Sequence, residues 1–181
     1  KYLKGTDSVM CAGIYLALNT GIRAEELCTL KRGDIDLCGK KLRVCKSAPA
    51  QLHLSKKTDG YSETDTIKNF ERVIFLPEFL VEFLRPVYDK IPQDCYLING
   101  FPNKAYGAET VENKVRKIAG RCGLFDVGFS AIRDTFGARC AENGMDSKML
   151  GEIMGADDAE GFYPVKKAAA VSPLEFLREA Y

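Results

Sequence analysis

Residues Gly128–Tyr163, GFSAIRDTFGARCAENGMDSKMLGEIMGADDAEGFY, decide how the chain is read. Apolar residues at helical spacing predict one helix over Ser130–Glu142 and a second over Asp146–Met154. Asn143-Gly144 separates them, because glycine accepts the left-handed backbone that stops a helix. A Gly155-Ala156-Asp157-Asp158 turn follows, and then Tyr163. Two short helices with an arginine in the first and a tyrosine after the second suggest a helical domain that ends in chemistry.

Upstream of this stretch the helical reading continues. Glu109–Cys122 is amphipathic and stops at Gly123. Pro77 suits the first turn of a helix running toward Tyr88, kinked or ended by Pro86. Near the start, Thr6 or Asp7 can cap a helix that ends at Asn19-Thr20-Gly21, and a short helix Ala24–Leu30 is ended by Gly33. Strand signals cluster in between: Asp34–Leu37, a Cys38-Gly39-Lys40 turn, Leu42–Cys45, and later Arg72–Leu76. Tyr96–Ile98 is short and apolar. Residues 46–66 are polar and irregular, long for a loop in a compact domain, and hold the chain's single histidine, His53. Pro173–Ala180 predicts a terminal helix. The sum is one mainly helical α+β domain over residues 1–181, with a small antiparallel sheet near its N-terminal part.

Bulk properties agree with a globular domain. The 181 residues are 46% hydrophobic and 28% charged, enough for one substantial core. No apolar run approaches the ~20 residues that span a bilayer, and no signal peptide opens the chain, so a cytoplasmic protein without a membrane partner is expected. Starting at Lys1 and entering an apolar helix almost at once, the chain reads as a fragment whose upstream domain is missing. Its seven cysteines are scattered and form no CxxC pair, so zinc patterns are not available and reduced structural thiols are expected.

Net charge is only +1, yet its distribution is uneven. Lys31, Arg32, Lys40, Lys41, Arg43, Lys46, Lys56 and Lys57 face only Asp34 and Asp36 across residues 31–57, and Lys114, Arg116, Lys117 and Arg121 share a predicted helix. Lys31, Arg32, Lys40, Lys41, Arg43, Lys114 and Lys117 are candidates for contacts to DNA phosphates. Two solvated charged faces would look the same in sequence.

Breaking a DNA phosphodiester without a metal requires few parts. Cationic donors must hold the non-bridging oxygens as negative charge builds, and an arginine fork does this bidentately. A nucleophile must attack, and an acid must protonate the leaving 5′-oxygen. With tyrosine as nucleophile, the phosphotyrosine link keeps the bond energy, so rejoining needs no cofactor.

Those parts occur in order. Leu16–Leu27, LALNTGIRAEEL, followed by Leu30 and Asp34-Ile35-Asp36, resembles the box holding the first catalytic arginine of phage-integrase-type tyrosine recombinases, which falls on Arg23. Thr66–Pro77, TIKNFERVIFLP, resembles their lysine-tipped hairpin and the strand that follows it, which places Lys68 as general acid. Ser130–Phe136, SAIRDTF, is similar to their His-x-Leu-Arg-His-Thr-Phe, so Arg133 matches the second arginine and Ser130 replaces the first histidine. Met149–Gly155, MLGEIMG, resembles the helix before their Gly-His, and Ala156 stands where that histidine would be. Tyr163 is the candidate nucleophile, a little closer to Arg133 than is usual, and Tyr181 is a poorer one.

The resemblance covers nearly the whole chain. It implies a DNA breaking-rejoining catalytic domain performing site-specific recombination or integration through a 3′-phosphotyrosine, in a mobile element or prophage. It also implies double-stranded DNA as partner and a tetramer on paired sites, passing a C-terminal segment such as Ser172–Tyr181 between neighbours, with monomer expected without DNA. Losing two histidines slows such chemistry, each lost donor or proton shuttle costing on the order of 10²- to 10³-fold. The alternative is a diverged relative that binds recombination sites and cuts weakly or not at all.

Overall fold

The computed structural model describes residues 9–45, 71–125 and 127–155. The 46–66 insertion, His53, Lys68, Ala156, Tyr163 and the expected helix Pro173–Ala180 lie outside them.

Helix α1 (Val9–Leu18) buries eight of its ten residues, Met10 to Ala17, so it has no polar face and runs through the core between α3 and α5. Its last carbonyls are satisfied locally: Asn19 Nδ2 donates to the Tyr15 carbonyl and Thr20 Oγ1 to that of Leu16, each at 2.7 Å. Both side chains are buried, and without these bonds the helix end would leave acceptors orphaned. Gly21 then turns the chain at φ +64°.

Helix α2 (Ala24–Thr29) ends at Leu30, three residues before the expected glycine. Gly33 serves a different purpose. Its N–H donates to the Gln93 carbonyl at 2.9 Å, and a Cβ there would sit 3.2 Å from that oxygen. The neighbouring bonds Arg32 N–H to Cys95 and Leu97 N–H to Leu30, with a Lys31–Tyr96 bridge, stitch this segment to residues 93–97. The short apolar Tyr96–Ile98 run is thus the partner of the chain leaving α2.

The expected strand over 34–37 shrinks to β1 (Ile35–Asp36) because both flanking carboxylates fold turns. Asp34 accepts the Lys31 N–H at 2.9 Å, and Asp36 accepts those of Cys38 and Gly39 at 3.0 and 2.8 Å. Strands β2 (Lys41–Val44) and β3 (Arg72–Phe75) complete an antiparallel sheet in the order β1-β2-β3, with Leu42 opposite both Ile35 and Ile74. Alternation does the rest: Leu42, Val44 and Ile74 point inward, while Lys41, Arg43 and Val73 are exposed.

Helix α3 (Glu78–Tyr88) is N-capped at Pro77 and continues through Pro86. Pro86 is exposed and in the last turn, so little helix remains beyond it to bend. Helix α4 (Ala108–Arg121) buries Val111, Val115 and Ala119. Helices α5 (Phe129–Glu142) and α6 (Ser147–Met154) match the expected pair, with Asp146 accepting the Lys148 and Met149 N–H groups as the α6 cap. Gly155, at φ +64°, closes α6. Leu16, Ile22, Leu27, Leu42, Ile74, Leu80, Leu84, Leu97 and Phe136 are fully buried where helices and sheet meet. Each contributes about 1.5–3 kcal/mol of hydrophobic stabilisation.

Candidate functional site

The ends of α1 and α6 hold two arginines crosswise. Arg133, in the second turn of α5, donates Nη1 to the carbonyl of Gly21 at the end of α1. Arg23, two residues after Gly21, donates Nη2 to the carbonyl of Gly155 at the end of α6, at 2.7 Å. Each guanidinium is therefore oriented by the glycine that stops another helix. A side chain at Gly21 would force its neighbours to shift: at φ +64° a Cβ would meet Phe136 Cδ1 at 2.5 Å.

Arg23 and Arg133 open together on one cleft of about 510 Å3, whose lining includes Ser130 and Phe129 from α5. Ser130 is exposed at the start of α5. The lining also includes carboxylates, Glu25 from α2 and Glu109 and Glu112 from α4. Glu112 is engaged: one oxygen accepts the Phe129 N–H at 2.8 Å, capping α5, and the other pairs with Arg116 at 3.1 Å. The cleft thus offers two cationic donors and a hydroxyl to an anion, among carboxylates that oppose its entry.

Beneath the cleft lies a residue that the sequence marks only as the start of a strand. Arg72 of β3 donates Nη1 and Nη2 to the two oxygens of Glu26, at 2.7 and 2.8 Å, and Nε to the Ile153 carbonyl at 2.7 Å. Both side chains are almost buried, 10% and 8% exposed. Glu26 also accepts the Arg23 N–H at 2.8 Å. Burial alone would raise the Glu26 carboxyl. The Arg72 hydrogen bonds and charge, with smaller help from Arg23, outweigh burial and hold it below the usual carboxylate range. In the sequence Glu26 shows only as an acidic residue three positions after Arg23.

The basic residues divide. Arg32 is turned into the fold, with Nε on the Tyr88 carbonyl, Nη1 on that of Ile35, and an ion pair to Asp89 at 3.4 Å. Lys40 pairs with Glu78, and Arg43 with Asp34 and Glu71. Lys41 is exposed and lies over the Phe75 ring, Lys31 lies over Tyr96, and Lys114 over Tyr106. Lys117 is exposed. At about 100° per residue, Lys114 stands roughly 160° round α4 from Glu112, so it does not share the cleft wall. The sequence clusters therefore do not form one continuous lining of the arginine cleft. No helix among the described residues is long and apolar enough to cross a membrane.

The chain is similar to known proteins in sequence and in fold. The model of the phage integrase family matches residues 4–160. A protein of Caldanaerobacter subterraneus subsp. tengcongensis, described as tyrosine recombinase XerC-like, is 27% identical over 158 residues, covering 77% of this chain and 40% of that protein. Among solved structures, the XerA recombinase superposes with a TM-score of 0.67 at 20% identity, covering 90% of this chain and 56% of that one. The integrase of mycobacterium phage Brujita gives 0.59 at 18% identity, covering 93% and 56%. The Tn1549 transposon integrase, solved in complex with circular intermediate DNA, gives 0.59 at 19% identity, covering 90% and 54%. The chain spans roughly half the length of these relatives or less.

Proposed function

The chain belongs to the phage integrase family, and from that premise we propose that it cuts and rejoins DNA at specific sites through a 3′-phosphotyrosine, as part of the recombinase of a mobile element. One observation carries the reading: Arg23 and Arg133, from opposite ends of the sequence, line the same open cleft, each held by a backbone carbonyl. In this reading the two guanidiniums clamp the scissile phosphate and neutralise the charge that builds on its oxygens. Tyr163 attacks the phosphorus, and Lys68 protonates the departing 5′-oxygen.

In this reading Ser130 and Ala156 stand at the two positions where the family resemblance implies histidines. Ser130 still supplies a hydroxyl in the cleft that the arginines line. Alanine supplies neither a donor nor a proton path, so turnover is slow, which is tolerable for an enzyme acting once per site. The DNA complex of the Tn1549 integrase supports duplex DNA as the partner. Exposed Lys41 and Lys117, with Lys31, Lys40, Arg43 and Lys114 at the flanks, are the phosphate contacts outside the cleft, whereas Arg32 serves the fold. Assembly as a tetramer on paired DNA sites, and a cytoplasmic, nucleoid-associated location, complete the proposal.

A second reading, a relative that occupies sites without cutting, is favoured by Ser130 itself and by the glutamates that share the cleft with the arginines. Nicked duplexes carrying the ends of the parent element separate the two. Cleavage gives the full-length parent a covalent DNA adduct that survives denaturation and disappears in Tyr163→Phe. Salt-sensitive binding without an adduct establishes the second reading.

A further inference from the structure

Five residues close a ring under the cleft. Arg72 holds Glu26 through both carboxylate oxygens and Ile153 through its carbonyl. Glu26 holds the backbone N–H of Arg23, and Gly155, two residues beyond Ile153, holds the Arg23 guanidinium. Arg23 is thereby gripped at both ends, main chain and side-chain tip, by groups that Arg72 fixes. The packing leaves no slack: a Cβ on Gly155 would sit 2.7 Å from Arg72 Nη1.

Stability does not explain the choice of residues. A buried ion pair is often matched or bettered by apolar side chains of similar volume. What an apolar pair cannot do is fix three acceptors on two different helices with one planar group. An arginine fork does that, and a lysine, a single point charge, does not. We propose that Arg72 is a positioning residue, which acts through Glu26 and Ile153 to set Arg23 at the height of the scissile phosphate. The proposal rests on the strand-cutting reading above, since a protein that only occupies sites gains little from placing one guanidinium so firmly.

The same geometry explains why the effect belongs to the chemical step. Arg23 stands at the exposed edge of α2, where many orientations would attract a phosphate from a distance. Only the transition state requires its donors to meet the developing charge within a fraction of an ångström, and a misplacement of about 1 Å can slow a reaction about 100-fold. Loss of Arg72 therefore lowers the rate on bound DNA and leaves affinity nearly unchanged.

Three forms of the full-length parent test this: wild type, Arg72→Lys, and the double variant Glu26→Gln/Arg72→Met, which removes both buried charges together. Adduct formation is timed at saturating nicked DNA, alongside DNA affinity and thermal midpoint. A second substrate carries a neutral methylphosphonate at the scissile position, where a methyl group replaces one charged oxygen. We expect both variants to form adduct about 10- to 100-fold more slowly, with affinity within about threefold, and the deficit to narrow on the neutral substrate, where less charge needs Arg23. Wild-type rates in either variant overturn the proposal. So does a loss that follows the thermal midpoint, or persists undiminished on the neutral substrate, because that marks a purely structural role; failure of both variants to fold has the same meaning. A wild-type protein that binds DNA but forms no adduct defeats the strand-cutting reading, and this inference with it.

Discussion

Arg133 and Gly21 lie 112 positions apart and are joined by a hydrogen bond from the guanidinium to the glycine carbonyl. That bond exists because Gly21 turns the end of α1 through φ +64° with Phe136, one helical turn past Arg133, packed against its Cα. Gly21→Ala puts a methyl group 2.5 Å from Phe136 Cδ1 and 3.2 Å from Met154 Cγ, in a backbone region that alanine resists. Strain and overpacking together cost about 2–4 kcal/mol. Urea denaturation of the variant checks this, and a midpoint equal to wild type would show that the turn relaxes freely.

Arg23→Ala and Arg133→Ala should differ in stability and agree in activity. Arg23 is exposed, so its loss changes stability by about 1 kcal/mol or less, while half-buried Arg133 also supports the Gly21 turn. Each removes one cationic donor from the cleft, and each should slow adduct formation by about 10²- to 10³-fold at saturating DNA. Single-turnover assays on nicked duplexes read this directly. A variant that keeps the wild-type rate excludes its arginine from the phosphate clamp.

Much of this site is legible in the primary structure, for a physical reason. Arg23 follows the end of one helix and Arg133 lies in the second turn of another, and those boundaries are written locally in Asn19-Thr20-Gly21, Gly128 and Asn143-Gly144. Gly33 misleads because its requirement is tertiary. It admits the Gln93 carbonyl, and nothing within ten residues signals that. Asp34 and Asp36 have strand neighbours yet spend their side chains on turns, which shortens β1. Arg32 reads as one charge in a basic run, and only the arrival of Tyr88 and Asp89 turns it inward. Arg72 is hidden for the same reason. Its partners, Glu26 and Ile153, lie 46 and 81 positions away, and pairing at that range leaves no periodic trace.

The Glu26–Arg72 pair should appear in the acid limb of stability. The folded carboxyl lies below its ordinary value, so the pair's contribution is fully present above the ordinary carboxylate pKa and is lost as pH falls through the folded value. Glu26→Gln leaves the Arg72 charge buried and uncompensated, which costs about 3–5 kcal/mol at pH 7. The gap between wild type and variant should then close as pH drops below about 4. Chemical denaturation between pH 3 and pH 7 measures it, and a constant gap would mean that Glu26 acts through packing alone.

The thiols should sort by burial. Cys38 and Cys122 are exposed, whereas Cys11, Cys28, Cys95 and Cys140 are buried. Burial pushes Cys28 and Cys140 up to about 12, with the nearby Glu25 charge adding to the effect at Cys28. Cys45 is exposed but also raised, by partial burial and by Glu71. Because the thiolate is the reactive form, a disulfide reagent at pH 8 should modify Cys38 and Cys122 first and Cys45 more slowly. The four buried thiols should react only on unfolding. Fast modification of Cys28 or Cys140 in the native protein would contradict the packing of α2 or α5.

Ser130 provides the most direct test of the proposal that it stands where the family resemblance implies a histidine. It is exposed at the second position of α5 and shares the cleft with Arg23 and Arg133, so a larger side chain there meets solvent rather than core. A serine hydroxyl can donate a hydrogen bond to a phosphate oxygen but is a poor proton carrier near neutral pH. An imidazole does both, and a positioned acid-base group is worth about 10²- to 10⁴-fold. Part of that is forfeited here, because Ala156 still leaves the second histidine position empty of any donor. Ser130→His should therefore raise the rate of adduct formation about 10-fold or more on the nicked duplex, with affinity for DNA little changed. The gain should vanish when Tyr163→Phe is added. A rate no higher than wild type, in a variant that still binds DNA, would mean that proton transfer at this position does not limit the reaction, and that the serine is an adaptation rather than a loss.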